Sequence, residues 1–406
     1  MKVLYISRLF SGLEQSIIDQ NWKPTGVPTI YRLLEKLEIE CDELKIIFSI
    51  KEGFLKKKYY KSFSLKLEPF SNQIKILSAS KFLSYLPKSI KFILTEISHT
   101  LYYIFYIIKF RPDIIYFDHG NIWSGGIISR IFSVPTVFRV MGVYPIMRTV
   151  LIKKSIKSKI LKWLYRSPFN QVICTQDGSG IEPWLDKAIK PGIKIHKLIN
   201  GVPKKFLNND EIKKLENEIV ITFIGKIEFS KGAEEFVVSA INSIKKCSLK
   251  LKFYVIGSGS LRHKLIDYVR GKGFTSSFEF IEKVENKEIL KFLIKTDIYI
   301  SLNRYGNLSN SNLEAIAAKK CMIIPISQSK FGIDLITDKL LSDNSVLRVK
   351  SSNDIQGISD GITFLAENYK VRQKMINHIK KFSLKLDSWD TRIEKEINIL
   401  KTILEK

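Results

Sequence analysis

Short apolar runs alternate along this chain with longer stretches in which apolar residues recur at three- and four-residue spacing. That alternation is the signature of parallel α/β layers. In the first half the strand-like runs are residues 2–7, 44–49, 114–117, 136–140, 171–175 and 194–198, and the helical stretches between them include 28–37, 90–109 and 152–165. The pattern breaks in a polar segment, 200–218, that holds Pro203, Asn208, Asn209 and Asp210, then restarts with Ile219-Val220-Ile221-Thr222-Phe223-Ile224-Gly225. Further strands are predicted at 252–256, 277–281, 298–302 and 322–326, and Ile393, Ile397, Leu400 and Leu404 predict a closing helix over 389–404. The expected architecture is two doubly wound units, residues 1–205 and 206–385, with a terminal helix, 386–406, near their junction.

Two features qualify this picture. The opening run Val3-Leu4-Tyr5-Ile6 is interrupted by Arg8, so it reads as a first buried strand rather than a secretion signal. The stretch Phe92 to Ile108 carries Glu96 and His99 and falls short of a membrane span. Its stripe Ile93, Ile97, Leu101, Ile104, Phe105 and Ile108 predicts a helix packed on a sheet, with an interfacial helix as the alternative.

Composition agrees with a folded chain too long for one core: 406 residues, 45% hydrophobic and 26% charged. The four cysteines (Cys41, Cys174, Cys247 and Cys321) form no CxxC pair, which points to a reducing compartment, expected to be the cytoplasm, and to no structural zinc. Charge changes the picture more. The net formal charge of +26 implies a polyanionic partner, and residues 1–200 carry 31 basic against 15 acidic side chains. Over 53–111 the basic residues interleave with Phe54, Tyr59, Tyr60, Phe63, Phe70, Phe82, Tyr85 and Phe92. Lysines beside aromatics suit a lipid headgroup region; single-stranded nucleic acid and a merely solubilising surface use the same residues.

In an open parallel sheet, ligands bind beyond the carboxyl ends of the strands, where helix N-termini present free N–H groups. Four such places stand out in the second half. Gly225-Lys226 ends a strand and Lys231-Gly232 follows, two ammonium groups suited to a diphosphate. Gly257-Ser258-Gly259 forms a turn that either admits a ligand to the backbone or is simply tight. Residues 278–284, ending at Val284, pass from strand to helix. Tyr305 to Ala315 is a polar loop running into a helix whose Glu314 is either a ligand contact or a dipole residue.

The order and spacing of these segments, with 296–301 and 312–317, resemble the second domain of glycosyltransferase family 4, retaining enzymes of the GT-B fold. The first half is similar to that family through Asp113-Ile114-Ile115-Tyr116, residues 135–142, Ile199-Asn200-Gly201-Val202 and the loop Thr25-Gly26-Val27-Pro28. The resemblance implies two Rossmann-like domains facing across a cleft. It assigns Lys226 and Lys231 to the donor diphosphate, Asn310, Ser311 and Asn312 to the diphosphate and transferred sugar, Glu314 to the ribose, and Val284 to the nucleobase. Gly26, Gly225, Gly257 and Gly259 complete the donor-binding set. Gly306 stands where the family's other glutamate is usual and Met141 where a histidine is usual, with His119 as the candidate for that neighbouring space.

The implied reaction is hexosyl transfer from a UDP- or GDP-linked sugar through an oxocarbenium-like transition state, with leaving-group departure assisted by Lys226, Lys231 and helix N–H groups. No Asp-x-Asp pair occurs in the chain, so no metal and no further cofactor is expected. The expected acceptor is a glycan or polyprenyl-diphosphate-linked sugar of bacterial surface polysaccharide, met at the anionic inner face of the cell membrane; no nucleic acid partner is expected. Docking is expected through Lys56-Lys57-Lys58 with Tyr59 and Tyr60, and through Ile152, Ile156, Ile160 and Trp163 with their lysines. The rival readings are a GT-B sugar-nucleotide epimerase and a catalytically impaired membrane- or polyanion-binding module.

Overall fold

The continuous apolar runs become the strands of two sheets in the computed structural model, which describes residues 1–10, 12–50, 61–78, 85–208, 218–282, 284, 286–342 and 344–405. The first sheet contains β1 (Lys2–Arg8), β2 (Glu43–Ser49), β3 (Phe63–Leu65), β4 (Ile74–Leu77), β5 (Ile114–Asp118), β6 (Thr136–Val140), β7 (Gln171–Thr175) and β8 (Lys194–Leu198). Their order is β3-β4-β2-β1-β5-β6-β7-β8, parallel throughout except for β3 against β4. The second contains β9 (Glu218–Ile224), β10 (Lys250–Ile256), β11 (Phe278–Ile281), β12 (Ile298–Ile300), β13 (Cys321–Pro325) and β14 (Leu347–Val349), all parallel, in the order β11-β10-β9-β12-β13-β14.

Alternate residues of each strand feed opposite cores, which is why the runs are apolar on both faces. Val3, Tyr5, Ile46, Phe48 and Tyr116 pack on one face of the first sheet, and Leu4, Ile6, Ile47, Ile115 and Phe117 on the other. In the second sheet Ile221, Phe223, Phe253 and Ile300 line one face, and Tyr254, Ile256, Tyr299 and Ile324 the other. Two units result. One comprises Met1–Thr175, Trp184–Leu198 and Thr391–Lys406; the other comprises Gln176–Pro183 and Ile199–Asp390.

Three elements escaped the hydrophobic pattern. The strands β3, β4 and β14 are three or four residues long, too short to show a period. The helix expected over 152–165 is two helices, Pro145–Ile152 and Ile156–Tyr165, because the Ser155 side chain accepts from Ser158 N–H and starts a new helix there. The lysine-tyrosine run 56–60 lies outside the described residues.

One expectation is reversed. The helix Lys88–Phe110 buries Thr95, Glu96, His99, Thr100 and Tyr103, and turns Ile93, Ile97, Leu101, Phe105 and Ile108 outward. Leu101 and Phe105 are 61% and 62% exposed. The polar face is drawn in by buried partners: Glu96 pairs with Arg8 at the end of β1, Thr100 Oγ1 lies 2.9 Å from Ser124 Oγ, and Tyr103 donates to Asn121 at 3.4 Å. A buried ion pair with its attendant hydrogen bonds outranks apolar periodicity here, since a lone buried carboxylate costs more than exposed isoleucines do. Among the described residues no helix is long and apolar enough to cross a membrane.

Candidate functional site

In the second unit the chain leaves β9 toward β10 on one side and reaches β12 on the other, so the strand order reverses between β9 and β12. Loops diverge at such a point and leave a crevice beyond the carboxyl ends. Gly225 and Lys226 follow β9 directly, and residues 301–309 follow β12.

Lys231 closes a single turn, Phe229–Lys231, and Gly232 then enters the helix Ala233–Lys246 with φ +69°. A Cβ on Gly232 would lie 2.5 Å from Leu302 Cβ, so only glycine lets this turn rest against the loop after β12. Arg304 braces the turn. Its Nε donates to Phe229 O at 2.9 Å, its guanidinium lies 4.0 Å from the Phe229 ring centroid, and it pairs with Glu235 at 2.5 Å. Lys226 is exposed while Lys231 is half-buried. Withdrawal from water lowers the Lys231 pKa, the nearby Asp177 carboxylate and Glu228 work against that, and Lys226 adds to it. Two cations near each other beside the start of a helix form an anion-binding arrangement.

The glycines Gly257 and Gly259 are explained by packing. Their φ values are +144° and +158°, and a Cβ would fall 1.9 Å from Gly225 O and 2.4 Å from Ile227 O. Ile227 N–H donates to Ser258 O at 2.8 Å, locking the loop after β10 onto the loop that carries Lys226. Gly225 itself is half-buried. Val284 is half-buried at the edge of the core that Tyr299 and Leu313 form.

The helix Asn310–Ala317 corrects two expectations. Glu314, assigned by the resemblance to the ribose and so expected to reach a ligand, is 4% exposed, in a run from Asn312 to Ala317 that is buried throughout. Asn312 is committed within the unit: its oxygen accepts from Tyr299 at 3.0 Å and Ser309 at 3.1 Å, and its amide donates to Asn307 O at 3.0 Å. Asn310 accepts from the Asn200 amide at 2.8 Å, and Ser311 Oγ lies 3.2 Å from Ser309 Oγ. Only Asn310 and Ser311 of this helix start are half-open.

Residues that the sequence reading passed over complete the crevice. Asp334 accepts from the Asn307 backbone and side chain, both at 2.6 Å, and from Thr337 at 2.7 Å, while Asp334 N–H donates to Gly178 O at 2.7 Å. Leu308 N–H donates to Asp177 O at 3.1 Å. The segment 177–180 is thereby stitched to the loop after β12. Gly306 has φ +131°, and a Cβ there would meet Gly178 C at 2.5 Å and Asp177 O at 2.6 Å. A side chain at 306 has no room, which is the physical reason for glycine. Asp177 is half-buried, and withdrawal from water pushes its carboxyl up to about 6, against hydrogen bonds from Ser179 and with the help of Asp334. The available signal was Asp177-Gly178-Ser179-Gly180 one residue beyond β7, a glycine turn with an acid.

The first unit has its own reversal between β1 and β5. His119 follows β5 there, half-buried, with Nε2 2.8 Å from the Tyr165 hydroxyl and its ring stacked on that of Tyr165. Gly26 belongs to this unit, with φ +98°, beside Thr25 whose N–H donates to Gly12 O at 2.9 Å. Among the described residues no group of three or more His, Cys, Asp or Glu is placed to hold a metal ion.

Residues 205–382 match the family model described as Glycosyl transferases group 1. No curated protein matches the chain in sequence. Among solved structures, the sucrose-phosphate synthase of Thermosynechococcus elongatus aligns with a TM-score of 0.69 and 11% identity over 100% of both chains. HepE of Anabaena, solved in complex with UDP, aligns with a TM-score of 0.63 and 12% identity over 99% of this chain and 100% of that one. WaaG, a glycosyltransferase involved in lipopolysaccharide biosynthesis, aligns with a TM-score of 0.62 and 12% identity over 98% and 99%. Identities this low carry the fold alone. The chain has the GT-B fold, and the match of its residues 205–382 to the Glycosyl transferases group 1 model supports glycosyl transfer as its chemistry.

Proposed function

We propose that this protein is a retaining glycosyltransferase of family 4 that moves a hexosyl group from a UDP- or GDP-linked sugar to a glycan or polyprenyl-diphosphate-linked acceptor. The observation that carries this reading is Lys231. It is a cation partly withdrawn from water, held by a glycine-dependent turn beside Lys226 where the strand order of the second sheet reverses. Such a cation holds the diphosphate and stabilises it as a leaving group, so no base is needed on the donor. The UDP complex of HepE and the lipopolysaccharide role of WaaG are consistent with a nucleotide-sugar donor and a surface-polysaccharide product. A thermal-shift screen of UDP- and GDP-sugars should give one clearly stabilising donor, and transfer of its labelled sugar then separates this reading from an epimerase or an inactive binding module. No stabilisation by any of them removes the donor class.

The same proposal places the enzyme in the cytoplasm, on the inner face of the cell membrane. Its support is the outward stripe of the helix Lys88–Phe110, which has Lys88, Lys109 and Arg111 at its ends. Next to it, Phe92 meets Trp123 of the helix Ile122–Ile131 at 5.9 Å, and Arg130 of that helix lies 3.8 Å over the Trp163 ring. Ile152, Ile156 and Trp163 are exposed in turn, among Lys153, Lys154 and Lys157. Apolar side chains flanked by lysines fit an anionic bilayer surface. Flotation should recover the protein with anionic liposomes and much less with neutral ones. High salt should weaken recovery, and a Leu101→Ser, Phe105→Ser double variant should lower it by about tenfold or more. Equal, salt-insensitive recovery with both, or none with either, rejects membrane docking.

A further inference from the structure

Resting on the reading of the second unit as a nucleotide-sugar site, we infer that Asp177 reads hydroxyl groups on the sugar that the diphosphate carries, and so sets donor specificity. Asp177 lies in the short segment 176–183 that packs with the second unit although it follows the last central strand of the first. It is fixed there from both sides. Its own carbonyl accepts from Leu308 N–H, the next carbonyl accepts from Asp334 N–H, and Gly306 leaves the space into which the segment fits.

Ser179 holds the carboxylate by one oxygen. Oδ1 accepts from Ser179 N–H at 3.0 Å and from Ser179 Oγ at 2.5 Å, which fixes its rotamer. Oδ2 takes neither of these Ser179 bonds, and the residue is half-buried. Its charge acts on Lys231, and Asp334, whose oxygens are occupied by Asn307 and Thr337, acts on it in turn. A carboxylate oxygen beside the lysine that takes the diphosphate cannot itself meet the diphosphate, because like charges repel. The part of a nucleotide sugar that suits it is one bearing O–H donors, and an ionised acceptor makes the stronger kind of hydrogen bond. A carboxylate with a proton-uptake range reaching to about 6 remains ionised at neutral pH and keeps that role.

The test compares two affinities in one protein. Calorimetric titration of the full chain with UDP and with UDP-glucose, UDP-galactose and UDP-N-acetylglucosamine, and with GDP against GDP-mannose, gives the affinity that the sugar adds for the best pair. In Asp177→Ala that added affinity should fall by roughly tenfold or more, while the nucleoside diphosphate alone binds as well as before or more tightly, with one like charge removed. Asp177→Asn keeps the shape and the Ser179 contacts, so it guards against a folding defect; it should show a smaller loss of the same kind. Equal loss of nucleoside diphosphate and sugar nucleotide would mean that Asp177 holds the ribose or only the fold, and overturns the inference. An unchanged sugar contribution in both variants does so too. Failure of the unaltered protein to bind any of these ligands instead overturns the donor reading, a different result.

Discussion

Lys231→Ala is expected to lower donor affinity or turnover by at least about tenfold without unfolding the chain. The magnitude follows from a charge-assisted contact to phosphate in a place already partly withdrawn from water, where a cation is worth more than at an open surface. Lys226, being exposed, should matter less. The split between kinetic constants is informative: a lysine that stabilises the departing diphosphate lowers kcat as well as kcat/KM, whereas one that only binds the donor raises KM. Lys231→Arg should recover part of the loss, since the charge stays while the geometry changes. Glu314 would be a poorer choice, because at 4% exposure its replacement mixes loss of fold with loss of ligand. Unaltered kinetics in Lys231→Ala would remove the diphosphate from this crevice.

The largest effect on stability is expected at Glu396. Its carboxylate is fully buried, 2.8 Å from Arg392 and 3.5 Å from Arg139, and accepts from the Tyr116 hydroxyl. Burial alone would raise its pKa; Arg139 and Arg392 overcome that and hold it below the ordinary value. Glu396→Ala strands two buried guanidinium groups, a change worth about 3–5 kcal/mol. In a unit of this size that lowers the melting temperature by on the order of 10 °C. Because the folded-state pKa is depressed, this contribution is complete above the unfolded value of about 4.5 and is lost as pH falls through the depressed one. The difference between the variant and the natural protein should therefore shrink in acid. Melting curves at neutral pH that superimpose would show that the cluster contributes nothing.

Strands buried on both faces are legible as uninterrupted apolar runs, and every central strand of both sheets was visible in that way. The candidate site was anticipated where glycine and lysine follow such a run, at Gly225-Lys226 directly and at Lys231-Gly232 a few residues on. What could not be read was set by partners distant in sequence. The inversion of the helix Lys88–Phe110 depends on Arg8, 88 residues before Glu96, reaching it. Gly306 makes sense only beside the backbone of residues 177–179, which fills the space a side chain at 306 would need. Glu314 looked like an open helix start because its sequence does not show that the turn is covered.

The terminal segment Thr391–Lys406 packs Ile393, Ile397 and Leu400 into the core of the first unit and supplies Glu396 to Arg139. That has a consequence for the order in which the protein matures. During synthesis the unit that begins first is completed after the other, because part of its core and the counter-charge for Arg139 arrive only with residues 391–406. The second unit, complete by Asp390, has all its residues sooner. Translation therefore leaves the first sheet waiting with an apolar face and Arg139 without its counter-charge, and removal of residues 391–406 damages the unit whose strands were made before those of the other.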